Sequence, residues 1–105
     1  MDDEMNELQI ACFQIIAAVG TARTGYIEAI HLAKARDFDA AVRKVEEARG
    51  AFAQGHAVHA DLVQRTAAGE NLNIDLLLVH AEDQLMSAEG FGILANEFIE
   101  LYRAL

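Results

Sequence analysis

The segment that decides this fold is Leu76-Leu77-Leu78-Val79-His80-Ala81-Glu82-Asp83-Gln84-Leu85-Met86, which places an imidazole and a carboxylate in an otherwise apolar helix. His80 and Asp83 are three residues apart, so they project from the same helical face. A polar pair on a buried stripe needs a partner, because an unsatisfied polar group costs on the order of a few kcal/mol. We therefore look for chemistry in this segment first.

Helical periodicity extends from this segment over the whole chain of 105 residues. Apolar residues recur at helical spacing, and the absence of proline permits long, uninterrupted helices. We predict a single all-α domain over residues 1–105, an antiparallel three-helix bundle with helices at about 4–35, 38–68 and 74–103. The second helix carries a bundle seam at Phe38, Ala41, Val45, Ala48, Phe52, Gly55, His59 and Leu62.

Polar residues and glycines mark where the helices begin and end. Asp37 and Asn73 are candidate N-caps, because their side chains can accept hydrogen bonds from free backbone N–H groups. Gly69 is expected to end the second helix, as glycine commonly does at the first position past a helix. The acidic residues 2–4 favour the start of the first helix electrostatically.

Three small residues of the first helix need a structural interpretation. Gly20 and Gly25 either let another backbone approach closely or mark a bend, and the sequence leaves both readings open. Cys12 is the only cysteine, and its apolar surroundings indicate a buried small hydrophobe rather than a reactive thiol. A lone cysteine also fits a reducing compartment.

The third helix carries two separable stripes. The first is interpreted as the core of the subunit and comprises Leu77, Leu85, Ala88, Ala95, Ile99 and Tyr102. The second comprises Leu76, His80, Asp83, Ser87, Gly90 and Leu94. Because a bundle of only three helices leaves the second stripe uncovered, self-association is the economical explanation. The 53% share of hydrophobic residues in so small a chain points the same way.

The charge of the chain limits its partners. Its net charge is −9, from 8 Lys and Arg against 17 Asp and Glu. Such a chain repels phosphate backbones, which argues against nucleic acid and favours a basic or complementary protein partner. The acidic N-terminus has the wrong sign for a signal peptide, and the apolar runs are far shorter than the roughly 20 residues of a membrane span. We expect a cytoplasmic protein without direct membrane insertion.

The four histidines differ in what surrounds them. His56 and His59 share a helical face and could contribute to a zinc site, but further ligands are missing, and packing in the seam is the better interpretation. His31 is interpreted as a surface residue favoured by the dipole at the end of the first helix. His80 has an acid one turn away, which either orients a functional imidazole or forms a satisfied core pair.

The sequence contains no motif of a stand-alone enzyme, neither a phosphate loop, a paired-cysteine cluster, a nucleophile elbow nor a dinucleotide fingerprint. A histidine on a rigid helix suits a different task, which is to accept a group from one protein and give it to another.

The segment around His80 closely resembles the phosphorylation-site segment of the lactose/cellobiose-type enzyme IIA of the bacterial phosphoenolpyruvate:sugar phosphotransferase system. The resemblance covers nearly the whole chain without a visible gap. It includes Gly20-Thr21-Ala22-Arg23-Thr24, Asp37-Phe38, Gly55-His56, Leu62-Val63-Gln64, Gly69-Glu70, Leu94-Ala95 and Leu101-Tyr102. The His80 segment is the part of the resemblance that is specific to this family. The other segments support the resemblance but are less specific.

The resemblance implies a phosphotransferase component that serves sugar uptake. His80 would accept a phosphoryl group from phospho-HPr as a tele-phosphohistidine and pass it to a cysteine of the cognate IIB component. Leu78, Val79 and Glu82 would belong to the surface that contacts these two proteins. The resemblance also implies a homotrimer, in which Asp83 of each subunit reaches the threefold axis. The family binds a divalent metal there, one per trimer, usually taken as Mg²⁺, and a hard cation suits carboxylate ligands.

Two positions depart from the family pattern. Glu82 stands where the family usually has glutamine, and Gln84 where it often has histidine. A carboxylate near phosphorylated His80 repels the phosphoryl group unless it points away, and we expect Glu82 to face a neighbouring subunit. The alternative function is a non-catalytic or regulatory helical interaction module in which Glu82 marks a degenerate site. A histidine phosphotransfer domain is a weaker alternative, because its usual Lys and Gly after the histidine are absent.

Overall fold

The structure is a computed structural model that describes residues 5–105 and contains three α-helices, namely α1 (Glu7–Lys34), α2 (Phe38–Ala67) and α3 (Leu76–Ala104). The connections, residues 35–37 and 68–75, are short, so neighbouring helices run antiparallel. The described residues contain no strand. The all-α three-helix fold predicted from the sequence is confirmed.

A reciprocal capping box starts α1. The Asn6 side chain accepts a hydrogen bond from the Gln9 backbone N–H at 2.8 Å, and the Gln9 side chain accepts one from the Asn6 backbone N–H at 3.0 Å. The helix therefore begins at Glu7, slightly later than the predicted start at about residue 4. Residues 2–4, which were predicted to favour this start, lie outside the described residues.

The N-cap of α3 differs from the predicted one. Asp75, not Asn73, precedes the first helical residue, and its carboxylate accepts a hydrogen bond from the Leu78 backbone N–H at 3.0 Å. The prediction was wrong because asparagine and aspartate are almost equally good N-caps, so residue type does not choose between them. The predicted cap of α2 is confirmed, since Asp37 accepts from the Ala40 backbone N–H at 3.4 Å.

Both turns use the same hydrogen-bonding pattern at the preceding helix end. After α2, Gly69 has a φ of 94°, and the N–H groups of Gly69 and Glu70 donate to carbonyls of the last helical turn. After α1, Arg36 takes the equivalent position with a φ of 65°, a conformation that costs a non-glycine residue energy. The expected end of α2 before Gly69 is confirmed.

The core consists of two clusters stacked along the bundle. The cluster at the end where α3 begins contains Cys12, Ile15, Val19, Leu62, Ala81, Leu85 and Ala88. Cys12 is 1% exposed, which confirms its interpretation as a core residue. Burial, and to a lesser extent the Asp75 carboxylate, raises the pKa of the Cys12 thiol. This cluster fixes the first turns of α3, which carry His80.

The two glycines of α1 have different environments. A Cβ at Gly25 would lie 2.8 Å from Cβ of Ala48, so the absence of a side chain lets α1 and α2 approach closely. Gly20 has open space in place of a side chain within the described subunit. Of the two readings left open by the sequence, close backbone approach therefore applies at Gly25 and not at Gly20.

By length and composition alone, α1 is apolar enough to cross a membrane. The prediction of a protein without direct membrane insertion rested on uninterrupted apolar runs, which are shorter than a membrane span. A central core helix satisfies the same criterion, and α1 packs against both α2 and α3 through buried residues such as Ile15, Val19 and Ala29. The apolar composition of α1 is thus explained by its place in the bundle.

Candidate functional site

The two stripes predicted for α3 are separate in the structure. Of the predicted core stripe, Leu85, Ala88, Ala95 and Ile99 are buried against α1 and α2. Leu77 and Tyr102 are half-buried, and Ala81, which was not predicted, is buried with them. On the second stripe, Leu76 is 82% exposed and Leu94 is 50% exposed. One apolar face of α3 therefore remains uncovered by the subunit.

His80 and Asp83 are both exposed to solvent. The prediction that they lie on a buried stripe is wrong for the single subunit, because no other helix of the subunit covers that side of α3. His80 lies early in α3, next to the buried Ala81. The imidazole is therefore accessible, and the helix backbone that carries it is anchored in the core at Ala81.

Glu82 faces away from His80 and binds α2 of its own chain. Oε2 of Glu82 lies 2.5 Å from Nε2 of His59. Because a carboxylate only accepts, the imidazole donates from Nε2. Two residues on a helix are separated by a rotation of about 200°, so Glu82 and His80 project from nearly opposite sides of α3. Glu82 is therefore bound within its own subunit, and the expectation that it faces a neighbouring subunit stays a prediction.

A groove of about 340 Å³ lies between the end of α2 and the start of α3. Its lining is mostly apolar and comprises His59, Leu62, Val63, Thr66, Ala67, Leu72, Leu78 and Glu82. Leu78 contributes to both the groove and the core, whereas Val79 is 52% exposed. Of the residues predicted to contact protein partners, Leu78 and Glu82 thus share one groove, and Val79 lies on the open surface beside it.

Arg23 of α1 reaches the His80 side of α3. Its Nη1 donates to Oε1 of Gln84 at 3.3 Å, and its Cζ lies 5.7 Å from the centre of the Phe91 ring. Gln84 is four residues after His80, so the two side chains are neighbours on one helical face. The site therefore has a cation on one side of α3 and the Glu82 carboxylate on the other.

The other histidines do not join this site. His56 is exposed, and its ring centre lies 6.0 Å from that of Phe52. His31 is exposed near the end of α1, as predicted. Among residues 5–105 of one subunit, no three His, Cys, Asp or Glu side chains cluster as metal ligands. The metal role predicted for Asp83 depends on more than one subunit and stays a prediction.

Sequence reasoning missed the roles of Arg23 and His59. Arg23 was visible only as part of a segment that matches the family, and His59 only as a residue of the α2 seam. The four-residue spacing of His80 and Gln84 could have indicated that both lie on one face of α3, where a side chain of α1 can contact them. Which α1 residue lies beside Gln84 depends on the register of two helices that are 61 residues apart at this contact.

A family model described as the lactose/cellobiose-specific IIA subunit of the PTS system matches residues 10–103. The lichenan-specific phosphotransferase enzyme IIA component of Bacillus subtilis strain 168 is 37% identical over 105 residues, covering 100% of this chain and 93% of the relative.

Among solved structures, the PTS cellobiose-specific enzyme IIA from Bacillus anthracis superposes with a TM-score of 0.92 at 36% identity, covering 96% of this chain and 93% of that chain. The IIA(Chitobiose)-HPr complex of the N,N'-diacetylchitobiose branch of the Escherichia coli phosphotransferase system gives a TM-score of 0.80 at 31% identity, covering 95% and 97%. With this fold, a nearly complete family match and relatives of matching length, the chain belongs to the lactose/cellobiose-specific IIA family of the phosphotransferase system.

Proposed function

We propose that His80 is the phosphoryl carrier of this IIA component. It accepts a phosphoryl group from phospho-HPr and gives it to a cysteine of the cognate IIB component. The observation that carries this proposal is the exposed imidazole of His80, presented early in a rigid helix and anchored by the core residue Ala81. The E. coli relative named as an IIA(Chitobiose)-HPr complex supports HPr as the donor.

The chemistry needs only a neutral imidazole and correct positioning. The lone pair of Nε2 attacks phosphorus in line with the donor P–N bond, which breaks as the new P–N bond forms. The donor imidazole leaves with its electron pair, so no oxidant or external base is required. In the second step, a cysteine thiolate of IIB attacks the same phosphorus, and His80 departs as a neutral imidazole with its own electron pair.

The Glu82 contact is compatible with this chemistry. A carboxylate beside phosphorylated His80 would repel the phosphoryl group, but His59 holds Glu82 on the α2 side of α3. The departure from the family pattern at Glu82 is therefore no reason to infer a degenerate site. The alternative of a non-catalytic interaction module has no observation of its own in its favour.

The uncovered stripe of α3 supports assembly into a homotrimer. Leu76 and Leu94 expose apolar surface there, and Gly90 leaves open space where a side chain would be, so another helix could approach closely. Asp83 lies in this stripe, and three copies at a threefold axis would supply carboxylate oxygens suited to Mg²⁺. The metal would neutralise charges that otherwise repel one another, and Asp83 is the residue that would hold it.

The surface beside His80 is where we place the protein partners. Val79 is exposed, and Leu78 with Glu82 lines the neighbouring groove, so the carriers could contact all three side chains. The relatives are named for lichenan, cellobiose and chitobiose, which fits a carrier that does not itself choose the sugar. We place the protein in the cytoplasm, where its donor and acceptor carriers act.

The experiment is phosphoryl transfer from phospho-HPr through this protein to a purified IIB component, followed over time. His80→Ala should stop transfer completely and leave the sedimentation coefficient unchanged. His56→Ala is the matched control, because it removes an exposed histidine of α2 and should leave transfer intact. Transfer that survives His80→Ala, or assembly that is lost with it, would support a structural role for His80 and contradict the proposal.

A further inference from the structure

Arg23 differs from the other half-buried basic side chains. These are Lys44, which lies 3.0 Å from a Glu28 carboxylate oxygen, and Arg65, which lies 2.7 Å from one of Glu70. The ion pairs found within residues 5–105 do not include Arg23. This is unexpected in a chain where acidic residues outnumber basic ones 17 to 8. Among the described residues, Arg23 is therefore left without a carboxylate that neutralises its charge.

Two uncharged groups hold the Arg23 guanidinium in position. Gln84 accepts one hydrogen bond from Nη1, and the Phe91 ring lies beneath the guanidinium carbon. A guanidinium carries five N–H donors, of which Gln84 occupies one. The side chain is thus positioned in advance, yet it has donors available for an anion.

The guanidinium lies on the side of α3 that carries His80. His80, Gln84 and Phe91 are spaced by four and seven residues, which places them on one helical face. Gln84 is about one helical turn from His80, or about 6 Å along the axis. The guanidinium, which contacts Gln84 and Phe91, would reach a phosphoryl group on the His80 imidazole by a side-chain movement toward the start of α3.

We propose that Arg23 binds the phosphoryl group while His80 carries it, and that Gln84 and Phe91 position the guanidinium for this task. The inference rests on the proposed phosphorylation of His80. A phosphoryl group presents three oxygens and close to two negative charges, which a fork-shaped guanidinium can bind through two parallel hydrogen bonds. Binding breaks no covalent bond; the guanidinium keeps its charge and directs its free N–H groups to the phosphoryl oxygens.

The contact also acts during transfer, because the charge of the moving phosphoryl group is spread over its oxygens. Arg23→Gln removes the positive charge and should lower the initial rate of phosphorylation by phospho-HPr about 10- to 100-fold. Arg23→Lys keeps a point charge without the fork and should give an intermediate rate. Arg43→Gln is the matched control, since it removes an exposed arginine of α2 and should leave the rate unchanged.

The test measures the initial rate by intact mass and the ³¹P resonance of phosphorylated His80 in each variant. A residue that only supports the fold would lower the melting temperature without moving this resonance, whereas a residue that binds the phosphoryl group should move it. Partial recovery by Arg23→Lys remains informative even if Arg23→Gln folds poorly.

A wild-type rate and an unchanged ³¹P resonance in both Arg23 variants would overturn the inference while leaving the carrier role of His80 intact. A wild-type protein that takes up no phosphate from active phospho-HPr would overturn the proposed function instead, and the Arg23 inference with it.

Discussion

Both stripes of α3 contain leucines, but the subunit covers only one of the stripes. In the covered stripe, Leu85 is 3% exposed and Ile99 is 4% exposed. The other stripe leaves 82% of Leu76 and 50% of Leu94 exposed. The difference teaches that helical periodicity can predict an apolar stripe without predicting whether the subunit itself buries that stripe.

The stripes also differ in their polar residues. The covered stripe buries no charged side chain, in keeping with a described core that contains no buried polar residue at all. The uncovered stripe contains His80 and Asp83, both exposed in the subunit. Reactive groups thus lie where packing within the subunit does not hide them, while the stripe next to them supplies rigidity.

The largest expected effect comes from replacing one leucine on each stripe. Leu85→Ala removes a side chain that is 3% exposed and should lower the free energy of unfolding by about 2–5 kcal/mol. Leu94→Ala should change the unfolding of the dissociated subunit by no more than about 0.5 kcal/mol while weakening assembly. Denaturant unfolding at low protein concentration, with sedimentation equilibrium, measures both quantities.

If Leu85→Ala and Leu94→Ala had the same effects on subunit stability and on assembly, the two stripes would not differ as described. Equal losses of subunit stability would mean that Leu94 packs within the subunit. Unchanged assembly of Leu94→Ala would mean that the second stripe is not the surface through which copies associate.

A smaller effect is expected from Asp83→Leu, which makes the uncovered stripe more apolar. Removing carboxylates that would repel one another at an axis should keep or strengthen the assembly, and it should abolish bound divalent metal. Sedimentation velocity gives the assembly state, and elemental analysis after dialysis against Mg²⁺ gives the metal content, with Asp61→Leu as a control on α2. Metal retained at the wild-type level would exclude Asp83 as the ligand.

The smallest effect is expected at the turn between α2 and α3. Arg65 donates to both carboxylate oxygens of Glu70, at 2.8 and 2.7 Å, and these hydrogen bonds lower the pKa of Glu70 below 4.5. A lowered pKa in the folded state stabilises the fold fully above pH 4.5, and the stabilisation disappears as the pH falls through the lowered value.

Glu70→Gln should therefore melt slightly below wild type at neutral pH, and the two melting temperatures should converge as the pH falls below 4.5. Melting curves from pH 7 to pH 3, roughly, would show this, and high salt should reduce the difference at every pH. A difference that stayed constant down to the lowest pH would assign the effect of Glu70 to packing instead.

Local chemistry made much of the fold predictable. The three-four spacing of apolar residues in α2 and the glycine at position 69 gave the seam and the end of that helix correctly. The choice between Asn73 and Asp75 as N-cap could not be made locally, because the two residue types are nearly equivalent as N-caps.

The site was less predictable, because its contacts join distant parts of the chain. His59 and Glu82 are 23 residues apart, and Arg23 and Gln84 are 61 apart. Periodicity indicates which face of a helix a residue occupies, but it does not give the axial register, that is, which residues of two packed helices lie at the same height. Glu82 was therefore expected at a subunit boundary, although His59 of the same chain binds it.

The most direct test of the account is the intact mass of the protein after incubation with phosphoenolpyruvate, enzyme I and HPr, beside a His80→Ala variant. We expect the mass of one phosphoryl group to be added to the wild-type chain and none to be added to the variant. No addition to the wild-type chain, with phosphorylation of HPr confirmed in the same mixture, would contradict the carrier role of His80.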